Sequence, residues 1–189
     1  MFFRMAILGA LFIGCTKPQT APPPEAAPID NITWDECDNT LNHNPCNIET
    51  YDQANLPTDL YSLYGKPIIL DFSAAWCPPC VAAAKEVQAI QDANADSGLV
   101  YITVLLESVD SDTVDEKDLS QWAKMHGIKT APVWAGTSDM IDVEDQTKGW
   151  FVIGYPTFYF IDKEMVIRGY NRGYQPDAIA HEISLLLEE

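Results

Sequence analysis

The chain has 189 residues, 47% of them hydrophobic, which is enough for one ordinary domain with its own core plus extra segments. Eleven Lys and Arg against 28 Asp and Glu give a formal charge of −17, which sets the chain against nucleic acid and anionic lipid headgroups. The acids name no partner by themselves, because a solvated acidic surface accounts for them.

The first stretch, MFFRMAILGALFIGC, carries one cation, Arg4, ahead of an apolar run from Ala6 to Gly14. Crossing a bilayer takes about 20 residues, so the run is too short to span one and has the form of a secretory signal over residues 1–14. Gly14-Cys15 resembles the lipobox of bacterial lipoproteins, with Phe12 where Leu is usual. The resemblance implies that Cys15 is the lipidated first residue of the mature chain. A buried free cysteine and an ordinary signal cut elsewhere are the alternatives. Residues 15–30 read as a linker, since five prolines between Lys17 and Pro28 oppose helix and sheet and favour extended, solvated chain. Thr16 rather than Asp after the cysteine implies, by the rule for Gram-negative lipoproteins, freedom to reach the outer membrane. The expected location is therefore exported and lipid-anchored, facing the periplasm or the cell exterior.

Residues 31–47 form an extension that holds Cys37 and Cys46 in CDNTLNHNPC. With Cys15 lipidated, four of the five cysteines remain, an even number in an exported chain. A Cys37–Cys46 disulfide would pin this polar loop. A zinc site of Cys37, His43 and Cys46 lacks a clear fourth ligand and a usual spacing. A second redox-active pair is the remaining reading.

A folded domain is expected from residue 48 to residue 189. Gly65-Lys66-Pro67 is a turn, and Ile68–Ser73 is a nearly continuous apolar run, as in a strand covered on both faces. Ala83, Ala84, Val87 and Ile90 then recur at helical spacing up to Gly98. Leu99–Glu107 reads as a second buried strand, and Leu119, Trp122, Ala123 and His126 as one face of a helix stopped by Gly127. TFYFID and MVIRGYN flank Lys163-Glu164 as a hairpin. Pro176 opens a last helix with Ile179, Ile183, Leu186 and Leu187 inward. The order β-α-β-α-loop-β-β-α predicts an α/β fold, a mixed sheet with helices on both faces. There is no internal repeat and no dinucleotide or phosphate loop, so no cofactor is expected.

WCPPC, residues 76–80, stands where the first strand meets the first helix. Three chemistries are open to Cys77 and Cys80: redox exchange, a structural disulfide, or metal ligation. A bond between cysteines so close in sequence restrains the unfolded chain little, and a zinc site would need a second pair at metal spacing. At a helix N-terminus the free N–H groups and the dipole stabilise a thiolate at Cys77, the attacking species in disulfide exchange. Cys80, one turn on and shielded, is placed to resolve a mixed disulfide. Pro78 and Pro79 stiffen the turn, and Trp76 packs beside the site. Asp71, six residues before Cys77 in an apolar run, has a raised pKa if buried; a strand-end or solvent-facing carboxylate is the alternative.

These residues resemble the thioredoxin fold, and more closely its extracytoplasmic thiol–disulfide oxidoreductases of the TlpA/ResA/DsbE kind, over about Ile48 to Leu187. The resemblance is carried by GKPIILDFSAAWC, by WCPPC, and by GYPTFYFID, which looks like the family's cis-proline strand. It implies that Cys77 attacks and Cys80 resolves. It also implies that Pro156 is cis, and that Tyr155, Pro156 and Thr157 dock an extended substrate chain beside Trp76. In thioredoxin itself an Asp at the place of Asp71 accepts the proton of the second cysteine; many TlpA-like proteins carry Asn there. The segment Val109–Ile153 looks like the helix and extra strand that this branch inserts. The implied partners are protein thiols and disulfides and a membrane protein that donates or accepts electrons, with reduction favoured over oxidation. A redox-inactive lipoprotein serving as a binding module, and an oxidase or isomerase, are the other readings. The acid that the cytochrome-maturation branch places near its CxxC is absent at Ala83, so a dedicated cytochrome c role is not implied. The peroxiredoxin branch uses a lone cysteine, so peroxidase activity is not implied either. His126, His181, Trp122, Trp134, Trp150 and the acidic loop Thr137–Lys148 are read as structural, with no metal site.

Overall fold

The computed structural model describes residues 37–188. The signal, Cys15, the proline-rich linker and residues 31–36 of the extension lie outside the described residues. Among the described residues, seven strands and three α-helices follow in order: β1 Glu49–Tyr51, β2 Pro57–Asp59, β3 Ile68–Ala74, α1 Pro78–Ala93, β4 Val100–Glu107, α2 Glu116–His126, β5 Val133–Ala135, β6 Thr157–Ile161, β7 Ile167–Arg172 and α3 Pro176–Glu188. Five strands form one mixed sheet in the order β5-β4-β3-β6-β7. β3, β4 and β5 run parallel, β6 pairs antiparallel with β3, and β7 pairs antiparallel with β6. β1 and β2 make a separate antiparallel hairpin.

β3 lies at the sheet centre and every one of its residues is buried, as its unbroken apolar run requires. Its alternating side chains serve two cores. Ile68, Leu70 and Phe72 point into one with Ile102, Val104, Trp134, Trp150 and Tyr159. Ile69 points into the other with Tyr101, Leu105 and the inner faces of α1, α2 and α3. Each fully buried Leu or Ile contributes about 1.5–3 kcal/mol. The two successive right-handed crossovers, β3-α1-β4 and β4-α2-β5, step in the same direction across the sheet, so both helices fall on one face. Helical cover on the second face takes another form: the 3₁₀ turns Leu60–Leu63 and Ser138–Met140, with Trp150 from the long β5–β6 connection. Trp150 packs on Phe72 and Tyr159, with ring centroids 5.3 and 4.8 Å away.

The helix ends follow local chemistry. Asp115 and Asp118 form a reciprocal capping box on α2, and Gly127 takes the left-handed conformation that closes it. The extension is stapled by a Cys37–Cys46 disulfide with its Cα atoms 4.8 Å apart. The loop between these cysteines pairs with the start of β7 through Asn42 N–H to Ile167 O, 2.8 Å, and Ile167 N–H to His43 O, 3.0 Å. It therefore packs against the sheet margin.

Candidate functional site

The CxxC turn joins the end of β3 to α1. The turn is anchored by Ala75 N–H on Glu107 O, 2.9 Å, and by Cys77 N–H on Ala74 O, 3.2 Å. Cys77 is the N-cap of α1 and is bonded to Cys80, with the Cα atoms 5.2 Å apart. Pro78 and Pro79 occupy the first helical positions and bring no N–H. The first free donor is therefore Cys80 N–H, and it points at Cys77 Sγ, 3.3 Å away. In the reduced state that donor and the helix N-terminus act on a Cys77 thiolate. Both sulfur residues are buried, Cys77 at 3% and Cys80 at 0% exposure, so the first cysteine is nearly as shielded as the second.

Asp71 lies in mid-β3 at 1% exposure, on the strand face shared with Ile69 and turned to α1. Ser73 Oγ donates to its Oδ1 at 2.7 Å, and Tyr101 OH donates to its Oδ2 at 3.3 Å. Burial pushes its pKa up to about 7, and the two hydroxyl donors oppose that rise. Tyr101 is pushed well above its usual value, by burial first and by the Asp71 charge second, so it remains a donor.

The Tyr155–Pro156 peptide is cis. Thr157, fully buried, ties the turn with its Oγ1 on Gly154 O at 2.7 Å, and Gly173 N–H closes on Pro156 O at 2.8 Å. Trp76 stands half exposed at the rim and meets the Tyr155 ring edge to face at 6.1 Å. Glu107, the last residue of β4, joins them: Trp76 Nε1–H donates to Oε2 at 2.7 Å, and Tyr155 OH donates to Oε1 at 2.9 Å. Burial, followed by this bond, pushes the Tyr155 pKa up.

The structure thus brings Cys77, Cys80, Trp76, Tyr155 and Pro156 to one end of the sheet, with Asp71 deeper in β3 on the face that α1, α2 and α3 cover. Cys37 and Cys46 sit apart from them, with the Thr147 carbonyl oxygen 3.8 and 3.7 Å from their sulfurs. Trp122, Trp134 and Trp150 are core residues, and His126 and His181 lie on α2 and α3. In the loop Thr137–Lys148, Asp142 caps a turn through Glu144 and Asp145 N–H, and Asp145 pairs with Lys148. Sequence reasoning missed Glu107, Tyr101 and Ser73. The signal for Ser73 was a second polar residue at a two-residue interval from Asp71, hence on the same strand face. For Glu107 it was an acid closing an apolar run at the level of the cysteines.

Solved structures share this architecture. A thiol:disulfide interchange protein of the thioredoxin family from Chlorobium tepidum superposes with a TM-score of 0.62 at 22% identity, covering 78% of this chain and 98% of that one. A thiol:disulfide interchange protein from Bacteroides gives 0.63 at 17% identity, covering 79% and 91%. In sequence, the thioredoxin-like protein YneN of Bacillus subtilis is 28% identical over 116 residues, 61% of this chain and 62% of its own length. The AhpC/TSA family model matches residues 42–170, from the disulfide-stapled extension through the CxxC turn and the cis-proline to β7, and the chain belongs to that family, with a thioredoxin-like fold.

Proposed function

We propose that this protein is an extracytoplasmic thiol–disulfide oxidoreductase that reduces disulfides in other proteins. The observation that carries this reading is Cys77 at the N-cap of α1, with Cys80 N–H on its sulfur, beside a cis-proline turn. With both cysteines reduced, the Cys77 thiolate attacks a substrate disulfide. One S–S bond breaks, a mixed disulfide forms, and one substrate sulfur leaves as thiolate. Cys80 then gives its proton to Asp71 and attacks Cys77 Sγ. The second substrate sulfur departs, and Cys77 and Cys80 end as a disulfide. Two electrons pass to the substrate, and a membrane protein dithiol returns the enzyme to its reduced form.

Tyr155, Pro156 and Thr157 are assigned to substrate docking. The Tyr155 backbone groups have no backbone partner among the described residues, which leaves them open to an extended chain. Exposed apolar side chains support a protein substrate: Trp76 on the rim, and Val109 and Met125 around a small cleft that begins at Ala75. The solved structures named as thiol:disulfide interchange proteins support the same chemistry. The Gly14-Cys15 junction and the proline-rich stretch support a lipid anchor, and the Cys37–Cys46 bond supports an oxidising compartment.

The test is thiol-dependent reduction of insulin with wild type and Cys77→Ser. Ser is a good N-cap, so the variant keeps the helix start and loses the nucleophile. Turnover in wild type that vanishes in Cys77→Ser is expected; equal absence in both sinks the reading. Loss of fatty-acid labelling in Cys15→Ala checks the anchor.

A further inference from the structure

Asp71 is sealed in the core, and only burial and two hydroxyls act on its carboxylate. No lysine, arginine or histidine among the described residues shifts it. The hydroxyls come from different strands and take different oxygens: Ser73 from β3 holds Oδ1 and Tyr101 from β4 holds Oδ2. The remaining neighbours add little. Phe158 of β6 stands opposite Asp71 in register and is apolar, and it shares its core with Cys77, the N-cap of α1, and Cys80 in its first turn. Thr103 of β4 is the direct register partner of Asp71, yet its buried hydroxyl has no hydrogen-bond partner among the described residues. Further out, the Tyr174 phenol acts on Tyr101, and Glu86 of α1 acts on Tyr174.

We propose that Ser73 and Tyr101 form a two-hydroxyl clamp that positions Asp71 on the helix-covered face of β3 and sets the pH at which it exchanges a proton with Cys80. The inference rests on the reading of Asp71 as the proton acceptor. A wholly buried carboxylate without donors stays protonated at neutral pH and cannot take a proton. Two donors stabilise the ionised form selectively, because a neutral acid gains less from them. Tyr101 suits this task, since the burial that keeps it protonated also keeps it donating. Neither hydroxyl touches sulfur chemistry directly; both act through Asp71.

The test isolates the resolving step. A chromogenic aryl thiol is loaded on Cys77 as a mixed disulfide, and its release by Cys80 is followed by stopped flow across pH. In wild type the rate falls on the acid side, where Asp71, its pKa raised by burial, becomes protonated. Tyr101→Phe is expected to move the midpoint of that fall up by about one pH unit, which cuts the rate about tenfold at pH values well below the midpoint. Ser73→Ala should move it the same way. Thr103→Val removes an unbonded hydroxyl from the same strand face and should leave it in place. Thermal melts of each variant establish that it is folded. An unmoved midpoint in both clamp variants overturns the inference, and so does an equal shift in Thr103→Val. Asp71→Asn separates the two levels. If the midpoint in that variant stays where it is in wild type, the Asp71 reading falls and the clamp with it. If the midpoint moves there but stays fixed in Tyr101→Phe and Ser73→Ala, the clamp alone falls.

Discussion

Trp76 and Tyr155 come from opposite lips of the site and end on one carboxylate: Glu107 takes the indole N–H at 2.7 Å and the phenol at 2.9 Å. The bridge couples the CxxC turn to the cis-proline turn without touching either sulfur. Glu107 also holds the turn through its backbone, as acceptor for Ala75 N–H. The two roles separate by mutation, because only the first needs the side chain.

Glu107→Ala therefore leaves the cysteines in place and frees Trp76 and Tyr155. Half-exposed hydrogen bonds to a carboxylate are worth about 1 kcal/mol, which is about fivefold in binding. The KM for a protein disulfide should rise by about that factor, while the rate with a small aryl disulfide and the equilibrium with glutathione stay near wild type. Steady-state kinetics on insulin and on the small disulfide give the comparison. An equal loss on both substrates would mean that Glu107 acts on the sulfurs instead.

Asp71 makes stability depend on pH in a calculable direction. In the unfolded chain the carboxyl ionises near about 3.9, while in the fold its pKa is raised to about 7. Between those values the folded state binds the extra proton, so stability falls as pH rises from about 4 to about 7. The full effect is roughly 4 kcal/mol, since each pH unit between the two values contributes about 1.4 kcal/mol. Asp71→Asn removes the titration. Denaturant melts of the oxidised protein should show the variant more stable than wild type at pH 8 by a few kcal/mol and close to it at pH 4. A variant less stable at pH 8 would show that the Ser73 and Tyr101 bonds outweigh desolvation.

Much of this was legible because the signals are local. The apolar run of β3, the helical spacing after Cys80, the Gly127 stop and the Pro176 start each arise within one element, and each element formed where those residues stand. β5 has only three residues, too few to show a period. Its position is set by pairing with β4 and by Gln53, whose Oε1 takes Val133 N–H at 2.7 Å. Only the family resemblance implied a strand in that region. The β1–β2 hairpin was missed for the same reason. At the site, the cysteines and Pro156 stand out by spacing, but Glu107 and Tyr101 gain meaning only from residues far away in sequence, and no periodicity reports such a partner.

The Cys37–Cys46 bond offers a separable test, because it lies away from WCPPC and closes its own loop. Closing a loop of that size removes unfolded-state freedom worth about 2.5 kcal/mol. The pair is also buried, at 3% and 0% exposure, so a reductant reaches it slowly. Cys37→Ala with Cys46→Ala should lower the melting temperature by about 5–10 °C and leave insulin reduction at low temperature unchanged. A large loss of activity in a folded double variant would instead make this pair part of the electron path.

The last prediction separates the two cysteines of WCPPC. Exposure barely separates the two, 3% against 0%; the attacking role goes to Cys77 by its place at the N-cap of α1, where Cys80 N–H points at its sulfur. With Cys80→Ser the first step proceeds and the second cannot, because no thiol remains to break the mixed disulfide. That variant should accumulate covalent, reductant-sensitive adducts with protein disulfides, visible as shifted bands on non-reducing gels. Cys77→Ser should form none, although Ser keeps an oxygen in position to accept Cys80 N–H at the N-cap. Cys77→Ala loses that acceptor as well and should melt lower than Cys77→Ser by the equivalent of about 1 kcal/mol. Adducts from Cys77→Ser but not from Cys80→Ser would reverse the assignment of attacking and resolving residues.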